Sequence, residues 1–64
     1  MITDIDIWQA ANLLIRQHGA GAAAEATRLA GRMIERGDSA GWQVWARIRL
    51  AVEALQAPHQ GKPH

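Results

Sequence analysis

Gly37-Asp38-Ser39-Ala40-Gly41-Trp42-Gln43-Val44-Trp45-Ala46-Arg47-Ile48 is the stretch on which the fold turns. Gly37 supplies a left-handed helix stop, and Asp38 is a helix N-cap residue type. With only these two residues between them, one helix must double back on the next, so the turn predicts an antiparallel helical hairpin. Downstream, Trp42, Trp45, Ile48, Val52 and Leu55 follow a spacing of three and four, while Val44, Ile48, Ala51 and Leu55 describe an overlapping stripe. Together they make an apolar arc wider than one seam against one neighbour requires. Pro58 disfavours helical geometry in the residue before it, which ends this helix near Ala57.

Upstream of the turn, Ala22, Ala26, Leu29 with Ala30, and Met33 form the stripe of the preceding helix. Its start carries no Ser, Thr, Asp or Asn, so Gly21 is the N-cap by default. Gly31 inside it costs about 1 kcal/mol of helix propensity relative to alanine, so either another helix crosses closely there, the preferred expectation, or the cost is simply tolerated. The first helix has the better start. Thr3 caps it, Asp6 stands three residues on in the capping-box position, and Ile2 and Ile7 occupy the staple positions. It runs to His18, with Gly19 as its left-handed cap.

The expectation is therefore an all-α, compact three-helix arrangement over about 4–18, 21–36 and 39–57, with helices two and three as the hairpin. One helical domain spans 1–57, and 58–64 is read as a disordered C-terminal tail. The expected core is Ile7, Trp8, Ala11, Leu14, Ile15, Ala26, Leu29, Met33, Trp45, Ile48, Val52 and Leu55.

Sixty-four residues bury only roughly 60% of the surface that the unfolded chain exposes. A chain of this size relies on disulfides, a metal, regular helix packing or a partner. It has no cysteine, which removes disulfides and thiolate zinc sites and leaves packing and self-association. The net charge of +1 gives no whole-molecule field for nucleic acid or membrane. The acidic opening Met-Ile-Thr-Asp-Ile-Asp does not read as a signal peptide, and no run approaches the roughly 20 apolar residues of a spanning helix. The expected location is cytoplasmic.

The three aromatics, Trp8, Trp42 and Trp45, all lie on apolar stripes. Those positions read first as core; Trp42 and Trp45 are neighbours on one face, and in so small a fold the other reading is that one of them anchors an interface, which gives Trp42, Trp45 and Arg49 as the candidate partner-binding residues. Arg28, Arg32 and Arg36 recur every four residues and form a ridge, the basis of an alternative reading as a nucleic-acid-binding accessory protein. Glu25 and Glu35 interleave with that ridge, and no aromatic does. Ser39 and Thr3 stand at helix starts, where capping explains them, and no nucleophile–base pair, carboxylate pair or phosphate loop can be assembled. His18 is expected to complement the dipole at a helix end, and His59 and His64 have no further ligand at metal spacing. No catalytic residue, cofactor, metal or small-molecule substrate is expected. The expected function is a non-enzymatic protein-interaction module whose partner is a second copy, as a dimer, or another protein.

The run Asp6-Ile-Trp-Gln-Ala-Ala-Asn-Leu-Leu-Ile-Arg-Gln-His-Gly19, with the later Gly37-Asp38, Gly41, Val44-Trp45, Arg47-Ile48, Ala51-Val52 and Leu55-Gln56, resembles a family of small uncharacterised helical proteins of alphaproteobacteria. The resemblance covers about residues 5 to 56. Arg28-Leu-Ala-Gly31 departs from it, because the family often has an acidic residue after the Arg-Ala of its second helix. What the resemblance implies is a small helical fold. It transfers no site residue.

Overall fold

The computed structural model of the chain describes residues 2–58. They are all-helical, with no strand among them: α1 spans Asp4–His18, a 3-10 turn spans Gly19–Gly21, α2 spans Ala22–Glu35 and α3 spans Ser39–Gln56. The expectation of three separate helices needs a correction. Gly19–Gly21 is itself helical, so the unbroken runs of helical backbone are two, 4–35 and 39–56. Gly19 changes the chain direction inside the first run with φ 56° and ψ −125°, and positive φ there suits glycine. The ψ value lies outside the left-handed helical region that the sequence predicted for this cap. The tail expected at 58–64 lies, apart from Pro58, outside the described residues.

Local chemistry explains the helix ends. The Thr3 hydroxyl accepts from the Asp6 backbone N–H at 3.2 Å, and the Asp6 carboxylate accepts from the Thr3 N–H at 3.0 Å, which completes the capping box. Asp38 serves two helices at once. Its backbone N–H donates to the Met33 carbonyl at 2.8 Å while Gly37, at φ 74°, donates to Ile34, the Schellman closure of α2. The Asp38 carboxylate then accepts from the Gly41 N–H at 2.8 Å and opens α3. Ser39, expected as a capping residue, is the first residue inside α3.

Because the link is so short, α3 returns along α2. Met33, near the end of α2, lies against Gly41 at the start of α3, and Gln56 at the far end of α3 donates to the Gly19 carbonyl at 2.8 Å. The hairpin is thus antiparallel. Across it lies α1, tied to α3 near its start by Arg47 donating to Asp4 at 2.8 Å.

The interior is made of small side chains. Five of the nine buried residues are alanines (Ala11, Ala22, Ala26, Ala30 and Ala51), joined by Ile7, Leu14, Ile48 and Val52. Two expected core residues are corrected: Trp8 and Leu55 are exposed. The buried positions are largely alanine, and the Trp8 indole stays at the surface beside them. Leu55 sits in the last turn of α3 and is 45% exposed. Ile15 and Trp45 pack partly buried against the core, while Leu29 and Met33 are half-buried.

The close crossing expected at Gly31 is absent. A Cβ built there meets nothing within 4 Å. Gly31→Ala is therefore expected to raise the unfolding free energy by about 1 kcal/mol through helix propensity alone. A urea titration followed by circular dichroism checks this, and a lower midpoint would contradict it.

Candidate functional site

Two apolar surfaces stand out, and each follows from an alanine-lined interior that leaves large side chains outside. The first is the hairpin end. Ile34, in the last turn of α2, is 61% exposed, and Trp42, in the first turn of α3, is 40% exposed. Together with Gly37, Asp38 and Ser39 they line a shallow groove of about 260 Å³. The turn that builds the hairpin also builds this patch, because it brings the last turn of one helix beside the first turn of the next.

The second surface lies between α1 and α3. Trp8 and Leu50, 43% and 57% exposed, line a groove of about 320 Å³ together with Ile7, Ala51 and Ala54. The Asp4–Arg47 pair belongs to the same groove. Ile5, one turn before Trp8, is also exposed.

The three expected partner-binding residues separate. Trp42 faces solvent at the hairpin end. Trp45 lies partly buried against the core. Arg49 reaches along its own helix, its Nη1 donating to Glu53 Oε2 at 3.2 Å. Sequence reading underused Ile34, and missed Leu50. The signal for Leu50 was an apolar residue with alanines four before and four after it, Ala46 and Ala54, on the side of α3 away from the Ile48–Val52 stripe.

The arginine ridge is interrupted. Arg28 forms a two-pronged pair with Glu25, its Nε donating to one carboxylate oxygen and its Nη2 to the other. That hydrogen bond is the main cause holding the Glu25 carboxyl below its ordinary value of 4.5, and it raises the Arg28 guanidinium. Partial desolvation of Glu25 opposes the shift, while the Arg28, His18 and Arg32 charges add to it. Arg32 and Arg36 are exposed and form no ion pair among the described residues. The ridge therefore offers two cations and a neutralised pair in place of three cations.

The lowered Glu25 value has a consequence for acid stability. Ionised Glu25 is held by Arg28 in the folded state only, so the pair adds stability above pH 4.5, and that addition fades as pH falls through the lowered folded-state value. Glu25→Gln is accordingly expected to lower the urea midpoint at neutral pH and to converge with the parent chain in strong acid. Equal midpoints at neutral pH would contradict the pairing.

Among the described residues, no group of three or more His, Asp or Glu side chains is placed to hold a metal ion. His59 and His64 lie outside the described residues. No described helix is long and apolar enough to cross a membrane. No protein-family model matches the chain, and neither the curated proteins nor the solved structures contain a match to it.

Proposed function

We propose that this chain is a small non-enzymatic protein-interaction module that self-associates. The observation that carries the reading is the inversion of side-chain size: five alanines among the nine buried residues, with Trp8, Trp42, Ile34 and Leu50 exposed. Each alanine removes little apolar area from water, whereas each exposed Trp, Ile or Leu leaves much of its area wet. Association is the direct route by which so short a chain without disulfides covers that area. Trp42, beside Ile34 at the hairpin end, is the anchor through which the module takes a further protein partner, an exposed indole being a side chain favoured at binding hot spots. Trp45 and Arg49, further along α3, are its supporting positions.

Nucleic-acid binding has less support, since Glu25 already holds Arg28.

Sedimentation equilibrium from micromolar concentration upward tests the proposal. The apparent mass is expected to rise with concentration toward twice the chain mass. A concentration-independent monomer would remove the self-association reading.

A further inference from the structure

We infer that the Met33 thioether is a reversible oxidation switch on the hairpin joint: transfer of one oxygen atom from a hydroperoxide to its sulfur releases the Asp38 cap of α3 and loosens the end that holds Ile34 beside Trp42. The switch is a property of the joint itself and does not depend on self-association or on what Trp42 binds.

Three observations carry it. The first is where the sulfur lies. A Cβ built on Gly41 would stand 2.7 Å from Met33 Sδ and 2.6 Å from Asp38 Oδ2. The thioether and the carboxylate thus share the space above one glycine, in the first turn of α3. A larger residue there would displace one of them, which accounts for a poor helix former at that position.

The second is what that space connects. The Met33 carbonyl accepts the Asp38 N–H at 2.8 Å, and Asp38 Oδ1 accepts the Gly41 N–H at 2.8 Å. The Asp38 carbonyl accepts the Trp42 N–H at 3.0 Å. Met33, Asp38, Gly41 and Trp42 therefore form one run of contacts from the end of α2 into the start of α3. Asp38 also lines the groove that Ile34 and Trp42 share.

The third is chemical. The chain has no cysteine, and Met33 is the one sulfur-bearing residue among the described residues. It is half-buried, not enclosed, and oxidation needs only that a small peroxide touch the sulfur. A sulfur lone pair takes one oxygen of the peroxide, the O–O bond breaks, and the proton passes to the departing oxygen, so that hydrogen peroxide leaves as water. Sulfur is oxidised by two electrons and the peroxide is reduced by two. The product replaces an apolar thioether with a polar S–O bond whose negative end is oxygen. That oxygen meets the Asp38 carboxylate, and the Gly41 N–H is already held by Asp38. Either the sulfoxide takes the Gly41 N–H from its cap or the Met33 side chain swings out, and both open the joint.

The test uses the full chain, treated with dilute hydrogen peroxide under native conditions and then freed of it. Peptide mass mapping is expected to show one added oxygen on Met33. Urea titration at one fixed protein concentration is expected to give a folding equilibrium constant lower by roughly tenfold, the scale of a lost N-cap. Methionine sulfoxide reductases for both epimers, with a thiol reductant, are expected to restore the midpoint. Met33→Leu fills a similar volume and retains Met1, and its midpoint is expected to survive the same treatment. Asp38→Asn keeps the cap acceptor without the charge, so oxidation is expected to lower its equilibrium constant by no more than about threefold. An oxidised Met33 with an unchanged midpoint, a sulfur that takes up oxygen only in urea, or an equal loss in the Asp38→Asn background overturns the switch.

Discussion

Ile48→Ala is expected to lower the unfolding free energy by about 2–5 kcal/mol, the cost of removing a buried isoleucine side chain to its Cβ. Ile48 is 4% exposed and stands in the core with Ile7, Leu14 and Val52, the other large side chains that are fully enclosed among the described residues. The remaining buried members of the cluster are alanines, which have no rotamer to swing into the space, so relaxation around the cavity falls to side chains such as Ile15, Val44 and Trp45 at its edge. A domain of this length has a total stability of roughly 3–10 kcal/mol at the usual per-residue values. The substitution thus removes a large share of the whole. Urea unfolding followed by tryptophan fluorescence measures it, at one fixed protein concentration so that association does not enter the comparison. A loss under about 1 kcal/mol would mean that the core collapses around the gap.

Ala26→Leu is the opposite experiment, and a loss of about 1–3 kcal/mol is expected from overpacking. Ala26 is fully buried on the face of α2 that meets the core. Leucine is almost as good a helix former as alanine, so propensity does not account for a large loss. The added carbons must push α2 away from its neighbours, which opens the alanine contacts on either side of the substitution. Ala24→Leu, on the exposed side of the same helix, is the control and is expected to stay within about 0.5 kcal/mol of the parent. Equal losses at both positions would place the cause in the helix itself.

The hairpin was legible because its signals are local. Gly37 and Asp38 act through positive φ and a side-chain cap, both decided within a few residues, and Thr3 with Asp6 works the same way. The exposure of Trp8 and Leu55 was not legible, because periodicity gives the direction in which a side chain points but not how closely the opposing helix approaches. That distance depends on the residue types lining the interior, which here are largely alanine. Gly31 illustrates the same limit. Its cost to the helix was evident in the sequence, but the open space beside it depends on where α1 and α3 lie. Leu50 went unnoticed for a related reason. A residue outside the core stripe carries no periodic signal of its own until the inner stripe has been assigned to other helices.

The alanine-lined interior also bears on temperature. The heat-capacity increment of unfolding comes from newly wetted apolar area, about 12–15 cal/mol/K per residue in ordinary domains. Alanine methyl groups contribute little to it, and the exposed Trp, Ile and Leu side chains of a monomer are hydrated on both sides of the transition. The monomer's stability curve should consequently be shallow, with a broad melt and little weakening on cooling. Pairing would bury those side chains and steepen the curve.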